Sequence, residues 1–597
     1  MTTTPAGYVR LAGSERHPGP GATLLSPADP DERFSVTIVL RRRLDGEPMP
    51  GIDFYRRPPS QRPRLPEDEF AARYGASPED IAVITGFAAA HGLEVTEANA
   101  ARRSVKVSGT VAQMERAFHV TLGTYQLAGS TAGQAAGSGP ARTYRGRDGF
   151  IFAPAELAEV AIAVLGLDNR PITKHNAGDP PGTTHLTVPD VARLYNFPTD
   201  SAAGQTIAIV SEGDSTGYDT STGPDNDFAR YFATLPGYTA PDIIAVPPAA
   251  SSQNGPPDGE TTQDICIAAT VAQHATIAVY FLTYFADGQQ NQWHDLFERV
   301  VTPETGDFPA GVKRPSVLSC SFYLSDGDDL ATLGNEGITS GFVLAIHMAL
   351  EDAARQNITV CIAAGDQGSD SKVGSQTGIT EWGLEFAPDN KAHVQYPGSD
   401  PYALSCGGTT IGVNGTSFTE YVWNDTISES NVTNWATGGG VSDYFTESSG
   451  YAASYAYQDS AAVPASVNDG HAGRGVPDVA GNASFNSGYP YFVGGQPWVM
   501  NGTSAVAPLY AGLIAVINAS LREDVGFLNP ILYRLGNSVC RDIDAPPGPS
   551  SNSLNNIKGY SGAVGWDACT GWGVVDGKKL LPALRRSIAY LFPLLTA

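Results

Sequence analysis

Thr359-Val360-Cys361-Ile362-Ala363-Ala364-Gly365-Asp366 is an apolar run that stops abruptly at a glycine and a carboxylate. A strand with one wet face alternates polar and apolar residues, so a continuous run of this length predicts a strand buried on both faces. Similar runs at 206–210, 277–282 and 316–322 are separated by helical patterns at 228–232, 260–273, 294–301 and 339–356. Strands alternating with helices predict an α/β domain, a parallel sheet flanked by helices, with functional residues at the carboxyl ends of its strands. The N-terminal part reads differently. A strand at 35–40, helices at 68–74 and 78–91, strands at 94–99, 104–108 and 119–122, and a helix at 111–117 predict a small α+β sandwich. A Gly/Ala/Ser loop follows at 128–140, and 169–184, with Pro, Gly, Lys174 and His175, reads as an exposed linker and cleavage region. The division expected is 1–180 and 181–597.

The charge divides at the same place. The chain of 597 residues carries a net charge of −25; its first 180 residues hold 20 basic and 20 acidic groups, which leaves 17 basic against 42 acidic for the remainder. So acidic a surface excludes nucleic acid as a partner and suits an acid medium, where protonation relieves the repulsion. No apolar run reaches 18 residues, so no membrane span is expected, and 505–517 reads as a buried helix. The N-terminus shows no apolar signal segment. Six cysteines without a C-x-x-C pair exclude a zinc or disulfide scaffold, leaving Cys540 and Cys569 as the one disulfide candidate.

Chemistry concentrates in three places. Gly502-Thr503-Ser504-Ala505-Val506-Ala507-Pro508 opens a strongly apolar helix. Ser504 there is either a nucleophile beside unpaired backbone N–H groups or an ordinary N-cap. A serine nucleophile needs a base, and none of the histidines after residue 180 sits in a His-Gly-Thr setting. Instead, Glu260-Thr261-Thr262-Gln263-Asp264 puts two carboxylates on one helix face. Taken alone, they also read as an acidic first turn favoured by the helix dipole. Asp366, at the end of the opening run, reads alone as a turn aspartate.

In this order the motifs resemble the sedolisins, the serine-carboxyl peptidases. The likeness runs from about Ser35 to Leu581 through Val164-Leu165-Gly166-Leu167-Asp168, Glu260-x-x-x-Asp264, Gly365-Asp366, Thr437-Gly438-Gly439-Gly440-Val441-Ser442, Gly475-Val476-Pro477-Asp478 and Gly502 to Pro508. The resemblance implies a subtilisin-like catalytic domain at 181–597 behind a propeptide at 1–180 with a ferredoxin-like core. It implies a triad of Ser504, Glu260 as general base and Asp264, with Asp366 protonated at the oxyanion. A histidine of ordinary pKa about 6.5 is already protonated at acid pH, whereas a carboxyl near 4.3 still accepts a proton. One calcium ion is implied at Asp542, Asp567 and the main-chain carbonyls of Ile543, Ala563 and Gly565. The family reading is a secreted, monomeric acid endopeptidase acting on protein or peptide substrates, made as a self-processing zymogen with its own propeptide as inhibitor. Phe322 departs from the family's tryptophan, Glu212 is a candidate for the catalytic network, and Gly438–Gly440 is expected to admit a peptide backbone. The rivals are a Ser-His-Asp peptidase and a silent binding protein on the same scaffold.

Overall fold

A computed structural model describes residues 5–19, 22–126, 143–170, 172, 186–212, 217–246, 257–282, 289–325, 338–371, 389–414, 417–427, 435–544 and 550–589. The loop expected at 128–140 and nearly all of the linker expected at 169–184 lie outside them.

In the N-terminal part, β1 (Arg33–Leu40), α1 (Pro78–Ala90), β2 (Glu94–Asn99), β3 (Ser104–Thr110), α2 (Val111–Phe118) and β4 (Ala161–Leu165) form one layer of strands and one of helices. The strand order is β2-β3-β1-β4 with every neighbouring pair antiparallel, the ferredoxin-like arrangement. Helix boundaries follow local chemistry. Ser77 accepts from the Asp80 N–H to start α1, and Thr110 with Gln113 closes a capping box on α2. The strand expected at 119–122 instead begins at Leu122, because His119 ends α2 in the left-handed region, φ 46°. Along β1, side chains alternate between two cores. Val36, Ile38 and Leu40 pack with Val105, Met114 and Phe118, while Val39 joins the core of the following domain.

That domain is built on β5 (Thr206–Glu212), β6 (Asp242–Val246), α3 (Gly259–Val271), β7 (Thr276–Leu282), α4 (Gln289–Val301), β8 (Val317–Cys320), α5 (Ser340–Arg355), β9 (Thr359–Ala363), β10 (Leu404–Asn414), β11 (Ser417–Val422), β12 (Val479–Asn482) and α6 (Val506–Leu521). The sheet runs β6-β7-β5-β8-β9-β10-β11, with β12 also paired to β10; all pairs are parallel except β10 with β11. The chain leaves β5 toward one edge and resumes at β8 on its other side, so the crevice between their carboxyl ends is the switch point where such sheets bind ligands. β8 is shorter than the expected 316–322 because Ser321 and Phe322 already turn away from the ladder. The helix spanning Thr503–Leu521 is long and apolar enough to cross a membrane, but 83% of its apolar window is buried in the domain, as a core helix is.

Arginines fasten the two parts together. Arg42 pairs with Glu351 (2.7 Å) and Asp352 (2.6 Å) on α5, and Arg103, fully buried, pairs with Glu298 on α4 (2.9 Å) and with Asp352. Arg102 donates to the Thr302 carbonyl at 2.7 Å. Of the run Arg41–Arg43 only Arg42 crosses, since Arg41 holds Asp80 and Arg43 holds Asp45. Cys540 and Cys569 are both buried free thiols, so the candidate disulfide is not formed.

Candidate active site

Asp258 caps α3, accepting from the Thr261 N–H at 2.9 Å, and this fixes the first turn so that Glu260 and Asp264 project together into the domain. Neither is an exposed acidic turn, for Glu260 is 2% and Asp264 0% accessible. Burial drives the pKa of each carboxyl well above its ordinary value, and Glu260 is pushed further by the charges of Asp264 and Asp258. Ser321 Oγ donates to Asp264 at 2.9 Å and so opposes that rise on Asp264. Gln263 bridges, donating to Glu260 Oε1 at 3.4 Å and accepting from the Asn501 N–H at 3.1 Å.

Ser504 lies in the 3-10 turn Thr503–Ala505 that leads into α6 and is 1% accessible. It is no N-cap, since its Oγ makes no hydrogen bond of full geometry among the described residues. Yet it lies close enough to the Glu260 carboxyl to act on it as a hydrogen-bonding partner, lowering that pKa against the burial. Ser321 also contacts the Ser504 carbonyl at 3.2 Å, joining nucleophile and carboxylate segments through one hydroxyl.

Asp366 follows β9 and is fully buried; Thr503 N–H and Oγ1–H both donate to its Oδ1 at 2.7 Å. Gly502, at φ 78°, is required here, because a Cβ on it would stand 2.6 Å from Asp366 Oδ2. The three predicted segments therefore meet. Sequence reasoning missed Thr503 and the holding role of Ser321, whose only signal was their adjacency to quoted motifs. Glu212, at the carboxyl end of β5, is buried too. Burial, chiefly, and then the charges of Asp264, Glu212 and Glu260 all push the Cys320 thiol pKa up, which puts Glu212 beside the same group.

Two other expectations change. Phe322, which stands where the family's tryptophan was expected, is fully buried in the domain core. Gly438 and Gly439 are required by the protein's own backbone: a Cβ would meet the Ala364 carbonyl at 2.0 Å and the Ala568 carbonyl at 2.3 Å. Among the described residues every histidine after residue 180 is engaged elsewhere: His274 with Ser201, His294 with Asp295, His347 with Asp400, His393 with Asp389 and His471 with Asp469. His185 lies outside them.

The loop 562–567 is gripped from two sides, with Gly565 N–H donating to Asp542 Oδ2 (2.6 Å) and Ala563 N–H to Asp567 Oδ2 (3.2 Å). Asp542 Oδ1 is buried with no hydrogen-bond partner, and burial pushes the Asp567 carboxyl up to about 6. A buried carboxylate and a half-buried one with an orphaned oxygen are a donor set that fits a hard cation. The Ile543 carbonyl lies against the same loop, 3.1 Å from where a Gly562 Cβ would stand.

Residues 20–170 match the family model described as "Pro-kumamolisin, activation domain". Kumamolisin of Bacillus sp. (strain MN-32) is 35% identical over 98% of this chain and 97% of its own length. Tripeptidyl-peptidase sed5 of Aspergillus fumigatus is 31% identical over 96% and 97%. Among solved structures, Pseudomonas sedolisin, a serine-carboxyl proteinase complexed with pseudo-iodotyrostatin, aligns with a TM-score of 0.53 and 22% identity over 68% of this chain and 99% of that one.

Proposed function

Since the chain belongs to the sedolisin family of serine-carboxyl peptidases, we propose that it is a secreted acid endopeptidase made as a zymogen, with Ser504 as nucleophile and Glu260, Asp264 and Asp366 as its working carboxyl groups. The observation that carries this reading is the buried Ser504 hydroxyl facing Glu260, with every described histidine engaged elsewhere. Ser504 Oγ attacks the scissile carbonyl carbon while Glu260 takes its proton. The C–N bond then breaks, Glu260 returns the proton to the leaving amine, and an acyl-enzyme remains on Ser504. Water, deprotonated by the same carboxylate, releases the acid. The charge of Asp264 keeps Glu260 basic. Asp366 Oδ1 accepts two hydrogen bonds from Thr503, which favours placing the proton of this carboxyl on Oδ2, from where it would be donated to an oxyanion; a carboxylate there would repel it. That requirement sets acid pH.

Asp542 and Asp567 with the carbonyls of Ile543, Ala563 and Gly565 would hold one calcium ion, whose charge would neutralise one buried and one half-buried carboxylate and fix the loop. Residues 1–180 act as intramolecular inhibitor, held by Arg42 and Arg103, until cleavage within 169–184 releases them. Acid incubation of the purified chain followed by mass spectrometry tests this. Wild type is cut in the linker, and Ser504→Ala stays at full length; conversion of a peptidase-free Ser504→Ala sample would end the assignment. Capture of Ser504 by a peptide aldehyde separates enzyme from silent binder.

A further inference from the structure

At the amino ends of β5 and β8, the pole of the sheet opposite the carboxyl groups, a cleft of about 270 Å³ opens between the two parts of the chain. Arg64 enters it from the N-terminal part, Lys313 and Arg314 from the loop before β8, and Gln205 and Ser316 form its floor. Asp524 is the one carboxylate on its wall. Three cations against one carboxylate is an inverted balance on a protein of net charge −25.

Structural duties do not use up these cations. Arg64 donates through Nε to the Gln356 carbonyl (2.6 Å) and through Nη2 to that of Pro315 (2.8 Å), and Arg314 makes one long bond to the Leu65 carbonyl (3.4 Å). Among the described residues Arg64 Nη1, Arg314 Nε and Nη1, and the Lys313 ammonium have no hydrogen-bond partner. Among the described residues neither guanidinium is in an ion pair; burial followed by the Arg314 charge pulls the Arg64 pKa down to about 9 against the charge of Asp524, and burial lowers that of Arg314 against the charges of Glu67 and Asp524. Like charges gathered in a partly desolvated cleft repel unless an anion sits between them. The floor is neutral and well ordered, with Ser316 Oγ donating to Gln205 Oε1 at 2.7 Å. A cleft of 270 Å³ corresponds to roughly nine water molecules, room for one small anion with part of its hydration shell.

We propose that this cleft binds a tetrahedral oxyanion, free sulfate or phosphate, which bridges Arg64 of the N-terminal part to Lys313 and Arg314 of the catalytic domain and so stabilises the uncut chain. Guanidinium groups suit such an ion because their N–H pairs match its oxygen edges. The coupling is reciprocal: an ion that holds the junction together opposes separation, and loss of residues 1–180 removes Arg64 and weakens binding. The second consequence rests on the zymogen reading given above, whereas binding itself does not.

The test uses the full-length Ser504→Ala chain at neutral pH, titrated with sodium sulfate by calorimetry and by thermal unfolding, against sodium chloride at equal ionic strength. One sulfate per chain is expected, with a rise in Tm beyond that in chloride. In Lys313→Gln/Arg314→Gln the affinity should fall at least about ten-fold, as the loss of charge-assisted bonds implies. Lys313→Gln alone, which removes an exposed side chain with no bonds, repeats the comparison if the double variant does not fold. Equal sulfate titrations in parent and variant would reduce the effect to general salt stabilisation and overturn the site. With a Ser504 chain at acid pH, sulfate should slow self-cleavage relative to chloride, and not in the variant. A chain that binds sulfate but never cleaves itself removes the zymogen reading and leaves the anion site standing.

Discussion

Asp264→Asn should move the acid limb of the pH–rate profile to lower pH. The limb of kcat/KM reports the group that must lose a proton to act as base, which is Glu260 in the proposed mechanism. Its pKa is raised first by burial and next by the Asp264 charge, so deleting that charge while leaving the burial intact lowers it. The two carboxyls are four residues apart on α3, about 6 Å between Cβ atoms. At an effective dielectric of about 20 the repulsion is about 2.8 kcal/mol, or roughly two pH units. The asparagine oxygen can still accept from Ser321 Oγ, which donates to both Asp264 oxygens at 2.9 and 3.0 Å, so the local packing survives. The assay is the pH dependence of kcat/KM on an internally quenched peptide; position and not height of the limb is read, because the variant will also be slower. A limb that stays within half a unit of wild type, or moves to higher pH, refutes the idea that the Asp264 charge tunes the base.

Removing calcium with a chelator should lower the Tm of the catalytic domain by several degrees, since an ion present at about 100 times its Kd contributes about 2.7 kcal/mol; an unmoved midpoint in a sample proven metal-free counts against the site. Glu298→Gln tests the junction. Burial holds the Glu298 carboxyl up at about 7 against an ordinary 4.5, despite the neighbouring Arg103. The folded chain therefore keeps a proton that the unfolded chain has lost, and Glu298 costs stability as pH rises from 4.5 through 7, by up to about 3 kcal/mol. In a Ser504→Ala background the glutamine variant should match its parent near pH 4.5 and exceed it in urea midpoint at pH 8; a pH-independent gap contradicts the assignment. Gly438→Ala puts a methyl 2.0 Å from the Ala364 carbonyl, two residues before Asp366, and should cost about 3 kcal/mol together with most activity, read by Tm and peptide hydrolysis.

What could be read from the sequence was what a single segment determines by itself. β5, β7 and β9 announce themselves because a strand covered on both faces has no reason to carry polar residues, and Asp366 stands out because it ends such a strand. The i, i+4 spacing put Glu260 and Asp264 on one face of α3 but did not say which way that face points, and an exposed acidic turn has the same spacing. Burial, which turns the pair from a solvated turn into two carboxyls that cannot both ionise easily, comes from α6 and the segments around it, hundreds of residues away.

The same reasoning explains what was misread. Gly438-Gly439-Gly440 looked like room for a ligand backbone because glycine marks close approach without saying what approaches; here it is Ala364 and Ala568. Phe322 departs from the family's tryptophan, and nothing local says which way its ring points; β8 stops at Cys320 and the ring turns into the core. The run Arg41–Arg43 reads either as a solvated strand end or as a contact with the acidic domain, and nothing local says that Arg42 is the one that crosses or that Arg103 joins it. What singles them out is the acidic pair of helices α4 and α5, which presents Glu298, Glu351 and Asp352 to the one face of the N-terminal sheet that its own helices leave uncovered. Charges buried at the junction are stable only in matched sets. Arg42 and Arg103 with Glu351 and Asp352 are such a set, two cations against two carboxylates, with Glu298 beside Arg103 holding its proton up to about pH 7.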